Sequence, residues 1–270
     1  MQTYSMAKIS GRKKGDRVIL PPVNVRLSAE KQYYAALRLM LTQAAAEVRQ
    51  GIIPKYQSEQ AQNRLQRSYQ ADASNDWFIT LKALVNQLQR VASDTVNRIL
   101  NLEAERHTDA FMASAKRSLG IDLKAVVRQE DLDDYMRAAT ARNTSLITSL
   151  GDDVVKRVEQ TVYSNSIAGN SATTLRKALQ EQFGITDRRA KLIARDQTSK
   201  FNADLNKIRQ QQAGVTSYSW MTAHDERVRP LHRSLDGKTY KWGEATGAEQ
   251  GLPPGQPILC RCVARGIVEF

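Results

Sequence analysis

The sequence predicts a mainly α protein: a bundle of long helices, then a small α+β C-terminal unit with a β-hairpin. Three observations carry this. Gly and Pro are sparse before residue 214 and aromatics make up only 6% of the chain, a composition suited to long helices with aliphatic seams. A heptad-like seam lies near the middle: Trp77, Leu81, Leu84, Leu88, Val91 and Thr95 follow spacings of 4, 3, 4, 3 and 4. From Val215 onward, β-branched and aromatic residues alternate and Gly and Pro become frequent.

The elements follow in order. Residues 1–28 hold six basic residues and one acid, and Gly11, Gly15, Pro21 and Pro22 interrupt any helix there. This reads as an extended or disordered basic arm. Lys8, Arg12, Lys13, Lys14 and Arg17 are its candidate nucleic-acid contacts; the plainer alternative is a terminus with no task. Residues 29–150 form the expected helical domain. Ser28 is placed to cap a helix that ends near Gly51 and Pro54, and a polar, Gln-rich stretch from Lys55 to Asn75 follows. The seam then predicts a long helix packed on another helix, extended by Ile99 and Leu102 and ended by Gly120. A partner inside the bundle is the simpler reading than an intermolecular coiled coil.

Two helices are expected next, at about 123–150 and 152–168, and then a turn at Gly169-Asn170-Ser171. Ser171 suits an N-cap and Gly184 a C-cap, and Thr186 suits the cap of a charged helix running to about Gln212 and closed by Gly214. Residues 151–270 would be the second domain. Its β part comprises a strand at 215–222, a hairpin whose turn is Asp236-Gly237 between 233–235 and 238–242, a Gly/Pro-rich loop at 243–257, and a last strand from Cys260 to Val268.

Charge and cysteine usage narrow the function. Lys and Arg number 40 against 28 acids, a net charge of +12, which favours contact with polyanions such as nucleic acid. The two cysteines, Cys260 and Cys262, are too close in sequence for a disulfide framework, which points to a reducing compartment. No apolar run of about 20 residues is present to span a membrane. The basic N-terminus lacks the apolar stretch of a signal peptide. Neither a Walker-type phosphate loop nor a dinucleotide fingerprint occurs.

One order of motifs is specific: Gly-Asn-Ser-Ala-Thr-Thr-Leu (169–175), Ile-Ala-Arg-Asp-Gln-Thr (193–198), Tyr-Ser-Trp-Met-Thr-Ala-His-Asp-Glu-Arg-Val-Arg-Pro-Leu-His (218–232), Leu-Asp-Gly-Lys-Thr-Tyr (235–240), Pro-Pro-Gly-Gln-Pro (253–257) and Cys-Arg-Cys (260–262). Over about residues 150–270 this resembles the C-terminal domain of Mu F-like phage head morphogenesis proteins. The resemblance implies a minor capsid component of a tailed phage, made in the host cytoplasm and incorporated inside the virion head. It implies the portal protein, a major capsid or scaffolding protein and double-stranded DNA as partners, with no membrane. A homo-oligomer is compatible with it. A non-specific DNA-binding protein and a metal-dependent hydrolase are the alternatives, and no enzyme activity is expected.

The polar residues of this region allow several roles. Arg195, Asp196, Thr198, Trp220, Asp225, Arg227, Arg229, His232, Asp236, Gly237 and Arg261 are expected to form a structural motif, an internal salt-bridge network that holds a loop-rich unit together. Asp225 and Arg229 are four apart and suit a helical pair, whereas the arginines also suit a phosphate clamp. Arg261 has Asp225 or Asp236 as partners, and Arg195 or Asp196 should pin its helix to the 225–229 segment. His224, His232, Cys260 and Cys262 have the donor types of a structural zinc site, although Cys-x-Cys is shorter than the usual spacing. Two small buried thiols are the alternative. Cys260 with His232 suggests a thiol nucleophile and base, but no orienting group stands at a recognisable spacing. His107 reads as a surface or helix-contact residue.

Overall fold

A computed structural model describes residues 4–66, 75–128 and 130–270. The end of the Gln-rich stretch, residues 67–74, lies outside them. The chain is mostly helical, with a four-stranded antiparallel sheet built largely from its C-terminal part. It divides into two compact units, neither of them one stretch of chain. One comprises Lys31–Asn97 and Thr140–Ala194; the other comprises Met1–Glu30, Arg98–Ala139 and Arg195–Phe270. No helix among the described residues is long and apolar enough to cross a membrane.

The helices are longer than the punctuation in the sequence suggests. Helix α2 (Leu27–Glu47) does not stop at Gly51 and Pro54 but passes through a π turn, Val48–Ile52, into α3 (Ile53–Gln66). Ile53 N donates to Val48 O, five residues back, and the widened turn accommodates a proline that has no N–H to place. The start of the Gln-rich stretch is therefore helix. Helix α4 (Ile79–Leu119) ends before Gly120, as expected. Its buried face is rotated from the predicted seam. Leu81, Val85, Ala92, Val96, Ile99 and Leu100 are buried, together with Gln89 and Ser93, whereas Val91 and Leu102 are about half exposed at 51% and 47%. Small and polar residues share the contact face, so counting large aliphatics alone misplaced it.

Helix α5 (Asp133–Ile167) merges the two helices expected around Gly151 and begins about ten residues later than predicted. Gly151 is a point of close approach: a Cβ there would sit 2.9 Å from Gln89 Cδ. Gln89 Nε2 donates to Thr148 O and to Asp152 Oδ1, both at 3.0 Å, so the missing side chain makes room for a cross-helix polar lock. Helix α6 (Ala172–Gln212) is capped by Ser171, whose Oγ accepts from Thr174 N, and it runs through Gly184 without a break. Thr186 is no N-cap; its buried Oγ1 donates back to Phe183 O and Gln182 O.

Within the unit containing residues 31–97 and 140–194, Tyr33 Oη donates to Asn143 Oδ1 and Tyr56 Oη to Asn170 O, both at 2.7 Å. Asp153 receives Arg157 at 2.9 Å and Arg189 at 3.0 Å. In the other unit, strands β1 (Arg17–Ile19), β2 (Ser217–Met221), β3 (Thr239–Lys241) and β4 (Val263–Glu269) lie in the order β1-β4-β2-β3. Ser217 faces both Lys241 on β3 and Ile267 on β4, and Arg17 faces Glu269. The expected hairpin is present, but β2 and β3 are its arms. The expected first arm, 233–235, forms no strand: Arg233 closes a short helix, α7 (Pro230–Arg233), whose first turn Pro230 presets, and a turn follows it.

The basic arm is also revised. After a short helix α1 (Met6–Ser10), the chain adds β1 to the edge of β4, and Tyr4, Met6 and Leu20 enter a core with Phe111, Leu119, Leu123 and Val268. His107 is buried, not superficial, and burial pushes its imidazole down to about 4. Arg209 is wholly buried; its Nη2 donates to Thr108 Oγ1 and its Nη1 to Gln212 Oε1, both at 3.1 Å, with Asp131 at 3.6 Å.

Gly151 in α5 and Gly184 in α6 should respond with opposite signs to alanine. Gly151→Ala should destabilise the protein by about 1–3 kcal/mol through overpacking against Gln89, outweighing the gain in helix propensity. At Gly184 a Cβ meets only an Arg188 nitrogen at 3.8 Å, so Gly184→Ala should stabilise by up to about 1 kcal/mol. Urea unfolding midpoints of the two variants check both signs.

Candidate functional site

The polar residues singled out in the C-terminal sequence converge around the end of β2, α7 and the stretch that leads into β4. Trp220, on β2, is fully buried; its ring meets His232 edge-on at 5.4 Å and Tyr240 at 6.0 Å. The turn after α7 is tied to the same strand, since Gly237 N donates to Trp220 O and Trp220 N donates to Lys238 O. Asp236 Oδ1 accepts from Thr222 N at 2.7 Å, closing the loop between them. These bonds pin both ends of residues 222–238, and α7 with its backbone bonds orders part of the middle.

Two ion-pair systems hold that middle. Asp225 takes a bidentate pair from Arg261, Oδ2 to Nη1 at 2.5 Å and Oδ1 to Nη2 at 2.6 Å, and its Oδ1 also accepts from Arg227 N. Arg261 holds the Asp225 carboxyl below its ordinary value, and Asp225 in turn raises Arg261. Of the two partners open to Arg261 in the sequence, the structure selects Asp225. Arg229 does not pair with Asp225, because the segment before Pro230 is not helical; it reaches Glu249 Oε1 at 3.2 Å and the Ile258 carbonyl at 2.5 Å. Arg227 lies at the surface beside Glu226 at 3.6 Å.

Glu249 is the residue that sequence reasoning missed. Its Oε2 lies 2.7 Å from His232 Nε2, and the bond to His232 holds its carboxyl below the ordinary value. The other ring nitrogen, Nδ1, lies 3.5 Å from both Cys260 Sγ and Cys262 Sγ. His232, Cys260 and Cys262 are all buried, and their ligand atoms lie within 4.8 Å of one another. Both thiols are free of disulfide. The hydrogen bond between the two thiols pulls Cys260 down and pushes Cys262 up, so the two titrate together as one pair. His224 is not part of the group: its side chain is 62% exposed and lies 3.7 Å from Asp236 Oδ2. The four-residue donor set of the sequence therefore becomes a three-residue one, because the loop turns sharply at His224, where φ is +52°.

Helix α6 supplies the platform. Asp196 Oδ1 accepts from Leu259 N at 2.9 Å, next to Cys260, and Oδ2 accepts from Lys200 Nζ at 2.7 Å. Asp196 thus pins its helix to the 259 region instead of the 225–229 segment. Thr198 is buried and returns its hydroxyl to Arg195 O. Gly255 lets the loop lie on this helix, since a Cβ there would be 2.6 Å from that of Ala203; its N–H donates to Cys260 Sγ at 3.4 Å. A cavity of about 240 Å³ adjoins the thiols, with Arg195, Arg227, Arg229 and Arg261 on its wall. Lys8, Arg12, Lys13, Lys14 and Arg17 are exposed elsewhere in the same unit. Arg12 donates to Ser118 O and Arg17 to Thr239 Oγ1.

This geometry falls within a region of known type. The family model "Phage Mu protein F like protein" matches residues 156–265. Those residues are similar to the proteins of that family. Over 202 residues the chain is also 30% identical to an uncharacterized protein of Haemophilus influenzae, an alignment covering 71% of this chain and 44% of that protein, so the chain spans less than half the length of that relative. No solved structure matches it. The Mu F-like segment contains Asp196, Trp220, Asp225, His232, Glu249, Cys260, Arg261 and Cys262, and therefore the whole network described above.

Arg261 lowers the Asp225 carboxyl, so the pair stabilises the fold fully above the ordinary Asp value. That contribution should fade as pH falls through the depressed value, and Asp225→Asn should flatten this part of the acid limb while lowering stability at neutral pH. Near-ultraviolet circular dichroism of the buried tryptophan against pH measures it; an unchanged acid limb in the variant would remove the pair from the account.

Proposed function

We propose that this chain is a minor head protein of a tailed phage, acting in head morphogenesis from inside the capsid, near the portal and against packaged DNA. The Mu F-like segment carries the reading, because the family is one of phage head proteins. The net charge of +12 suits an interior whose dominant anion is DNA. The exposed Lys8, Lys13 and Lys14 give the N-terminal part a basic surface toward such a partner. The portal protein and a major capsid or scaffolding protein are the further partners of this reading, with assembly beginning in the host cytoplasm.

The network around Asp225 supports a structural role over a hydrolytic one. Asp225 is engaged by Arg261, and Glu249 by His232 and Arg229, so both carboxylates already serve as staples. Alanine at Asp225 should accordingly loosen the C-terminal unit instead of abolishing a turnover.

Quantitative mass spectrometry of DNA-filled virions and of emptied heads tests the reading. A few copies of the chain per particle are expected, and their loss on emptying would mark ejection with DNA. Complete absence from particles would overturn it and favour a non-specific cytoplasmic DNA-binding protein. For direct DNA contact, affinity should fall linearly with salt on logarithmic axes, with a slope of about 0.9 per phosphate engaged; Lys13→Ala with Lys14→Ala should reduce that slope.

A further inference from the structure

We propose that His232 Nδ1, Cys260 Sγ and Cys262 Sγ form a zinc site with three protein ligands, its fourth position opening on the arginine-walled cavity. The separations suit the ion. Zinc bonds of about 2.3 Å to sulfur and 2.0–2.1 Å to nitrogen place N and S about 3.5 Å apart along a tetrahedral edge. Nδ1 stands 3.5 Å from each sulfur, and all three atoms lie within 4.8 Å of one another. Imidazole and two thiolates are donors that zinc prefers over calcium or magnesium.

The surroundings are those of a ligand set. Metal-bound imidazoles commonly give their second nitrogen to a carboxylate, which fixes the ring and its tautomer. Glu249 occupies that place on His232 Nε2 and is itself held by Arg229. Glu249 is thus a positioning residue acting through His232. Backbone N–H groups of Gly255 and Cys262 point at Cys260 Sγ, each at 3.4 Å, which suits a thiolate. Two thiolates balance the charge of the ion, and Arg195, Arg227, Arg229 and Arg261 on the cavity wall favour solvent or an anion at the fourth position. The site joins α7 to the start of β4, so the ion would staple a connection that holds only a small apolar cluster of Trp220, Leu235, Ala248 and the two cysteines.

The test is elemental analysis of the full-length reduced protein, purified with zinc and dialysed, together with the absorption spectrum after cobalt substitution. One zinc per chain is expected, with the thiolate-to-cobalt bands of a tetrahedral site. Cys262→Ser should abolish stoichiometric binding. In case that variant does not fold, Glu249→Gln is the second: it should keep the cobalt spectrum and weaken zinc affinity roughly 10–100-fold. His224→Ala should keep both stoichiometry and affinity. A folded, reduced wild-type chain without stoichiometric zinc would overturn the site, as would full-affinity binding by folded Cys262→Ser or loss of the metal in folded His224→Ala. This outcome is independent of where the protein resides in the particle.

Discussion

Strand β4 has a neighbour on each side, and neither is local in sequence: β1 lies near the opposite end of the chain and β2 precedes it by more than forty residues. Its backbone donors and acceptors must be satisfied because Val263, Ala264, Ile267 and Val268 are buried. The strand therefore forms in place only when residues 17–19 and 217–221 are both present, and the rest of the C-terminal unit is organised around that requirement. Gln210 shows how closely the helix meets the strand. Its Nε2 donates to Ala264 O, its Oε1 accepts from Trp242 Nε1, and a Cβ on Gly266 would lie 2.9 Å from its amide.

Sheet and short helix enclose little apolar volume, so polar contacts set the path of the long loops. Helix α6 offers them at intervals along its length: Asp196 to Leu259 N, Asp204 to Gln256, Gln210 to Ala264 O. Each is a charged or amide side chain satisfying backbone or amide groups of a segment that has few strand partners of its own. The Asp225–Arg261 pair and the Arg229–Glu249–His232 chain do the same from the loop side. Half-exposed pairs of this kind contribute modestly one by one; their value lies in fixing one arrangement of loops around the two thiols.

Much of the site was legible in the sequence, because residue types and their order carry it. Trp220, Asp225, His232, Cys260, Arg261 and Cys262 were named from a segment in which motif residues crowd together, and the structure brings them into one network. Glu249 was not, since it stands in a Gly-rich loop with no periodicity and acquires its partners only when that loop folds back over α7. His224 was placed among the metal donors by proximity in sequence, and a positive φ at that residue turns it toward Asp236 instead. The helices show the same division. Gly151, Gly184 and Pro54 look like breaks when judged by propensity, which is a weak prior; a close contact absorbs Gly151, a widened turn absorbs Pro54, and α6 runs on through Gly184.

The sequence by itself determined the helical character, the change to β structure after residue 214, the capping of α6 by Ser171, and the likeness of residues 156–265 to Mu F-like proteins. Those follow from local preferences and ordered motifs, which need no distant partner. Only the tertiary structure decided that helices run on through Pro54, Gly151 and Gly184, which face of α4 is buried, that the basic N-terminal segment supplies an edge strand, and which carboxylate holds which arginine or histidine. These depend on groups far apart in the chain satisfying one another's hydrogen bonds and filling one another's space, and no local pattern records which distant group will be there.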